Sequence, residues 1–364
     1  MPRFSPFSKD YSMKGFPIRR ASDEVHERID ALREYFGRDL VIVGHHYQCD
    51  DVVAHVDRVG DSLELARMMD SIEARHVIFC GVHFMAESAA LLARPGQRVY
   101  LPAPDASCVM SEMTPAALLE KVFDRVSAEG RRVLPLAYVN TSLAVKAVVG
   151  RHGGAVCTSA NADRMMRWAL ENGDAVFFLP DRNLGINTAE RLGLSESARA
   201  LVNIRRDGEQ AFLPDGVRLL LWPGCCAVHA CFRPELAEAA RRKDPGARIL
   251  VHPECSPAMV RASDGAGSTS YLIREAESAR PGSVLYIGTE SNLVHRLMVR
   301  HAGRVRIEPL TESTCSNMLK VDAESLLRTL EGIRRGDAAD VRVDGAMTAP
   351  ARASLQRMLD YCAR

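Results

Sequence analysis

VIVGHHY (41–47), VLPLAYVN (133–140) and ILVHPEC (249–255) decide the fold of this chain. Each is an apolar run that ends abruptly in His, Tyr, Asn or Glu, the pattern of a buried parallel strand opening into a polar loop. Further strands of the same kind follow each one. The first copy continues with VIFCGVHFMAES (77–88) and VYLPAPDASC (99–108). The second continues with AVCTSANA (155–162) and AVFFLPDRNLG (175–185), and the third with SVLYIGTESN (283–292) and VRIEPLTESTC (305–315). A strand running into a short polar loop and a helix is the unit of a parallel α/β sheet. Such sheets carry reactive side chains just beyond the carboxyl ends of their strands. The expected fold is α/β, with one site assembled from three similar domains.

Composition narrows the function classes. A length of 364 residues fits two or three domains. With 47 basic and 46 acidic residues the net charge is +1, so bulk electrostatics points neither to nucleic acid nor to a membrane surface. Arg131-Arg132 and Arg241-Arg242-Lys243 read as solvated helix faces. No apolar run approaches the roughly 20 residues of a membrane span. The opening MPRFSPFSKDYSMKGFPIRR lacks the apolar core of a signal peptide and reads as a loose arm. The expected location is cytoplasmic.

Ten cysteines in a reducing compartment do not make a disulfide framework. Cys80 and Cys157 end strands, where a small thiol packs well, and Cys231 and Cys362 fall in helical stretches. Cys108, Cys315 and one of the pair Cys225/Cys226 differ. Each follows an apolar strand in a loop containing Pro, Gly, Ser or Thr. One such cysteine per repeat can converge at a three-fold centre. Three thiolates there suit zinc, which takes a fourth ligand or keeps an open position. They equally suit a [4Fe–4S] cluster with one iron left open as a Lewis acid.

Alternate residues of a strand share a face, so His45 and Tyr47 can point together into a cleft. Tyr138 and Asn140 repeat that i, i+2 arrangement in the second copy, and His252 and Glu254 repeat it in the third. His, Tyr and Glu are the usual general acid–base groups. Gly60-Asp61-Ser62, Thr158-Ser159-Ala160-Asn161 and Gly267-Ser268-Thr269 each precede a helical pattern. Their polar side chains are first of all N-caps. Three such helix starts also offer N–H groups and positive dipole ends to carboxylates or phosphate. Neither GxxxxGK[ST] nor a GxGxxG after a strand occurs, so no nucleotide cofactor is indicated.

Eleven stretches occur in an order that resembles the quinolinate synthase family, the A protein of bacterial de novo NAD biosynthesis. They are GHHYQCDDVV, GDSLELAR, FCGVHFMAES, YVNTSLAVKA, CTSANA, FLPDRNLG, WPGCCAVH, HPEC, GST, IGTESNLVHRL and CSNM, spanning about residues 38 to 320. The resemblance implies three pseudo-symmetric αβα, Rossmann-like domains with parallel sheets around a central active-site cavity. It implies a [4Fe–4S] cluster held by one cysteine per domain, which by motif are Cys108, Cys226 and Cys315. Cys226 is preferred to Cys225 because Cys226-Ala227-Val228-His229 keeps the family's C-x-V-H spacing. The implied reaction condenses iminoaspartate with dihydroxyacetone phosphate to quinolinate, with loss of phosphate and two waters. The implied substrate-contacting residues are His45, Tyr47, Ser62, Tyr138, Asn140, Ser159, His229, His252, Glu254 and Thr269.

In that implied chemistry Tyr47 and Glu254 move protons, while His45, His229 and His252 polarise or orient the substrate. Ser62, Ser159 and Thr269 hold its anionic groups. An L-aspartate oxidase or dehydrogenase would be a functional partner. His46, Ala230, Cys225 and the stretch ASCVMSEM depart from the commonest family sequences and bear on fine specificity. Two rivals share the same cysteines. One is a related iron–sulfur hydro-lyase acting on another small anion, and the other a non-catalytic iron–sulfur sensor. The expected organisation is an arm (1–24) and domains at 25–112, 113–226 and 227–315, with 316–364 packing on the first. An amphipathic helix capped by Ser22, with Val25, Ile29, Leu32 and Phe36 on one face, opens the folded part.

Overall fold

The apolar runs are too short to span a domain and too uniformly apolar for one wet face, so they need helices on both sides. In the computed structural model of the chain they form three parallel sheets flanked by helices. The structure describes residues 20–128 and 130–363, so the expected arm lies outside the described residues up to residue 19. The first sheet contains β1 (Leu40–His45), β2 (Arg58–Gly60), β3 (His76–Cys80) and β4 (Arg98–Tyr100), in the order β2-β1-β3-β4. The second contains β5 (Val133–Tyr138), β6 (Ala155–Cys157), β7 (Ala175–Leu179), β8 (Arg199–Leu201) and β9 (Leu219–Leu221), ordered β6-β5-β7-β9-β8. The third contains β10 (Arg248–Val251), β11 (Gly265–Ala266), β12 (Val284–Gly288) and β13 (Arg306–Pro309), ordered β11-β10-β12-β13. All pairings are parallel. Apart from β8 the three sheets repeat one strand order. The fold is α/β, built from three αβα, Rossmann-like units.

The strand correspondence differs from the sequence reading in the second copy. AVCTSANA is β6, the edge strand, and its counterparts are RVG (β2) and GA (β11), too short to stand out as apolar runs. The true matches to VIFC and VY are AVFFL (β7) and LLL (β9). β5 and β7 are buried along their whole length, which explains why they lack alternation.

Ser22 caps helix Asp23–Phe36, accepting the Val25 N–H at 3.4 Å, and Ile29 and Leu32 are buried from that helix. Helix Ala323–Arg335 packs on helix Asp23–Phe36 of the first unit. Helix Gly345–Ala363 packs mainly on helix Leu143–Arg151 and β6 of the second unit and also touches helix His83–Leu92 of the first, where Arg352 donates to the Leu91 carbonyl, so 316–364 spans both units. The reason is local. Gly150 presents bare backbone where the Pro350 carbonyl lands, and a Cβ there would lie 1.8 Å from that oxygen. Arg357 then donates to the Gly154 carbonyl. No helix among the described residues is long and apolar enough to cross a membrane.

Candidate active site

Equivalent strand ends from the three units surround one cavity of about 220 Å³. β1 ends at His45 with Tyr47 beyond it, β5 ends at Tyr138 with Asn140 beyond it, and β10 leads into His252 and Glu254. The edge strands finish in register beside them: His45 pairs with Gly60, Tyr138 with Cys157, and Val251 with Ala266. Those edge strands deliver Ser62, Ser159 and Thr269 to the cavity. β4, β9 and β13 lead to Cys108, Cys226 and Cys315, and His229 follows on the helical turn after Cys226. All thirteen candidate residues line this cavity.

The capping role expected of the hydroxyl-rich loops falls to their neighbours. Asp61 caps helix Ser62–Met68, with Glu64 completing the capping box, and Ser268 caps helix Thr269–Ser278. Asn161 receives the Thr158 N–H at 2.7 Å. Ser159 and Thr269 hydroxyls are thereby free for the cavity. Ser159 Oγ lies 3.2 Å from His252 Nε2, and Thr269 Oγ1 donates to the Tyr47 hydroxyl at 3.2 Å.

These contacts extend into a chain. Tyr47 Oη lies 2.7 Å from Thr289 Oγ1, which lies 3.2 Å from His229 Nε2. On its other side His229 places Nδ1 2.8 Å from Glu254 Oε2, and His252 Nδ1 lies 3.1 Å from the same oxygen. The two imidazoles stack with centroids 4.4 Å apart. A single donor order satisfies the hydrogen-bonded links: Thr269 to Tyr47, Tyr47 to Thr289 and Thr289 to His229 Nε2, which leaves the proton of His229 on Nδ1, facing Glu254. Thr289 lies in the stretch IGTESN, where nothing in sequence sets it apart from the other hydroxyls.

Burial sets the charge states. It lowers His45 to about 3 and also lowers His229, so these imidazoles are neutral at pH 7. Burial raises the Tyr47 and Tyr138 phenols well above their ordinary value. It would raise Glu254 too, but His229 and His252 outweigh it and hold that carboxyl below the usual range. The approach of Glu254 to His229 is close but not aligned as a hydrogen bond. His229 Nδ1, Glu254 Oε1 and Asn140 Oδ1 are consequently buried without a hydrogen-bond partner among the described residues. Folded proteins rarely leave such atoms unpaired, and three around one cavity mark where a polar ligand is received.

Cys108 and Cys226 cap short helical turns, and Cys315 opens the turn at Met318–Lys320. Backbone N–H groups point at each sulfur: Ser111 and Met110 at Cys108, His229 at Cys226, Met318 and Asn317 at Cys315. Burial nevertheless raises all three thiols, Cys108 to about 12, so a metal must displace their protons to bind. Three thiols from three units, each with N–H groups ready to stabilise a thiolate, fit a group that takes three sulfur ligands. Ligand atoms of Cys226, His229 and Glu254 also lie within 4.8 Å of one another, close enough to hold a metal ion.

The family model described as "Quinolinate synthetase A protein" matches residues 27–360. The chain belongs to the quinolinate synthase family. It is 40% identical to the quinolinate synthase of Bacillus velezensis over 346 residues, 94% of each chain. It is 42% identical to that of Herpetosiphon aurantiacus over 353 residues, 93% of this chain and 92% of the other. It is 41% identical to that of Geobacillus kaustophilus over 342 residues, 92% of this chain and 93% of the other. As a quinolinate synthase family member the chain is an enzyme. A likeness to a D-isomer specific 2-hydroxyacid dehydrogenase from Xanthobacter autotrophicus Py2 has a TM-score of 0.20 at 15% identity over 77% of this chain and 82% of that one, and carries no argument.

Proposed function

We propose that this enzyme condenses iminoaspartate with dihydroxyacetone phosphate to quinolinate, releasing phosphate and two waters, as a step of NAD biosynthesis in the cytoplasm. Cys108, Cys226 and Cys315 would hold a [4Fe–4S] cluster. The observation that carries this reading is the meeting of those three cysteines, one per unit, with His45, Tyr47 and Glu254 in a single cavity. When bound, the cluster supplies an open Lewis-acidic iron. An L-aspartate oxidase or dehydrogenase would supply the iminoaspartate.

The chain's own residues divide the remaining work. Ser62, Ser159 and Thr269, at the starts of their helices, hold carboxylate or phosphate oxygens. Tyr138 and the unpartnered Asn140 Oδ1 orient the nitrogen-bearing fragment. Tyr47, whose phenol stays protonated, donates protons, and Glu254, held ionised, accepts them. Two groups pushed in opposite directions within one cavity are the usual signature of an acid and base pair. His45 and His229, both neutral, relay and orient together with His252.

The test is anaerobic turnover with dihydroxyacetone phosphate and freshly generated iminoaspartate, following quinolinate by mass spectrometry and assaying iron and sulfide on the same sample. Product that disappears in Cys226→Ala supports both reaction and cluster. A full cluster without product moves the function to a related hydro-lyase acting on another small anion. A sensor would need the cysteines but tolerate loss of His45, Tyr47 and Glu254.

A further inference from the structure

The three cysteine loops are held to their domains by one repeated backbone bond. The first N–H of the helix that follows β3, β7 or β12 donates to the carbonyl two residues before the cysteine. His83 donates to Ala106 at 2.8 Å, Arg182 to Gly224 at 2.9 Å, and Ser291 to Ser313 at 2.9 Å. The residue just before each donor is the N-cap of its helix, and here the symmetry breaks. In the second unit it is Asp181, fully buried, whose Oδ1 accepts the Leu184 N–H at 2.7 Å while its Oδ2 accepts the Cys226 N–H at 3.1 Å. In the third unit it is Glu290, fully buried, which accepts the Asn292 N–H at 2.9 Å and the Cys315 N–H. In the first unit it is Val82, which has no side-chain acceptor, and the Cys108 loop is held by the carbonyl bond and, from outside the unit's helix, by Lys320 donating to the Asp105 carbonyl at 2.8 Å.

We infer that Asp181 and Glu290 are positioning residues for the metal-binding cysteines: each is a buried carboxylate that clamps the backbone of its unit's ligand to the helix behind it, and Cys108 is the ligand without such a clamp. Neither carboxylate lines the cavity, so neither touches substrate. A capping role alone explains the bonds to Leu184 and Asn292. It does not explain why both carboxyl groups also reach the N–H of the cysteine itself. A carboxyl group suits that place because either oxygen can accept, whereas an amide offers one acceptor and one donor. Outer partners of this kind fix the orientation of a metal ligand, and their loss typically costs roughly 10- to 100-fold in metal affinity.

The inference rests on the cluster assignment proposed above, and Asp181→Asn separates the two. Asn is as good an N-cap as Asp, so its oxygen keeps the helix bond to Leu184 while its amide N–H₂ meets the Cys226 N–H. The metal-free variant should therefore keep its helix and melt lower only by the one buried N–H left unpaired. The loaded variant should release iron to a chelator under anaerobic conditions roughly tenfold faster than wild type or more, with an altered EPR spectrum of the reduced cluster. Glu290→Gln should behave alike, and Asp181→Ala, which loses cap and clamp together, should in addition melt lower still. Glu87→Gln is the control, because the Glu87 carboxylate accepts from Leu143 rather than from a cysteine. Iron release and spectrum unchanged in Asp181→Asn and Glu290→Gln would overturn the clamp while leaving the cluster in place. Equal acceleration in Glu87→Gln would overturn it by showing general loosening. Wild type that takes up no iron would overturn the cluster assignment and the clamp with it.

Discussion

Glu254→Gln is the sharpest probe of the proposed chemistry, because it keeps shape and removes charge. Glu254 Oε2 faces two imidazole nitrogens, His229 Nδ1 at 2.8 Å and His252 Nδ1 at 3.1 Å. An ionised carboxylate there is stabilised by both. A Gln oxygen in its place carries no charge and takes no proton. If the amide turns so that its N–H₂ faces the imidazoles instead, each must present a bare Nδ1 and carry its proton on Nε2. If His229 does so, its Nε2–H faces Thr289 Oγ1, and the donor order through Thr289 to Tyr47 reverses. The base is lost in either orientation, and in the second the acid is misdirected as well. General acid–base catalysis contributes roughly 10²- to 10⁴-fold, so kcat should fall by about that factor. The thermal cost is set by one buried charge-assisted interaction, about 1.5–3 kcal/mol, which lowers the melting temperature without unfolding the protein at assay temperature. Quinolinate formation, iron content and a melting curve on one anaerobic preparation measure all three. Iron and fold retained with turnover abolished is the expected result. Cys108→Ala should lose iron and turnover together. Full activity in Glu254→Gln would refute the assignment of Glu254 as the base.

Three further outcomes follow from named contacts. Thr289→Val keeps the side-chain shape but leaves His229 Nε2 without its donor and Tyr47 without its 2.7 Å partner. It should lower kcat with little change in KM and destabilise by about 1–3 kcal/mol, as read by steady-state kinetics and melting. Gly150→Ala sets a methyl 1.8 Å from the Pro350 carbonyl and should destabilise by about 1–3 kcal/mol, or loosen helix Gly345–Ala363 as seen by hydrogen exchange. His45 stays neutral in the folded protein down to about 3, whereas the unfolded imidazole protonates below about 6.5. The unfolded state thus binds more protons, and this contribution to stability is complete above about 6.5 and lost as pH falls. Between pH 6.5 and 5 the wild type should lose about 2 kcal/mol relative to His45→Asn, measured by denaturant titration at both pH values.

The parts of the fold legible in sequence were those where burial writes itself into composition. VIVGHHY, VLPLAYVN and ILVHPEC are apolar on both faces because helices cover both sides of their sheets, and their polar ends mark the cavity rim. Of the three equivalent edge strands β2, β6 and β11, only β6 was legible. RVG at β2 and GA at β11 pair with only one neighbour, and their three or two residues carry no periodicity. AVCTSANA, an edge strand apolar enough to stand out, therefore resembles VIFC and SVLYIG more than its true counterparts. The pairs His45/Tyr47, Tyr138/Asn140 and His252/Glu254 were legible because each projects from a strand end at fixed spacing, whereas His229 and the choice of Cys226 over Cys225 came only with the family resemblance. Thr289, Asp181 and Glu290 were not, because their importance lies in which buried atom they meet from another segment. Helix Gly345–Ala363 went to the second unit for a similar reason: the determinant is the missing side chain of Gly150, and an absent group leaves little trace in a sequence.

The three-fold arrangement also explains why one chain must supply the whole site. Each unit brings a strand-end pair, a hydroxyl at a helix start and a cysteine, but no unit brings both proposed proton-handling groups. Tyr47 comes from the first unit and Glu254 from the third, and they communicate through Thr289 and His229 of the third. Arg296 reinforces that junction, donating to the His46 carbonyl at 2.9 Å and to Asp50 at 2.8 Å across the same boundary. A repeat that kept all three units identical would place like groups around the cavity, three bases or three acids. Divergence of the strand-end pairs, His45/Tyr47, Tyr138/Asn140 and His252/Glu254, lets a symmetric scaffold offer unlike groups to an asymmetric substrate. The cysteines stay alike, which suits the proposed cluster, since three equivalent sulfur ligands would leave it one open iron.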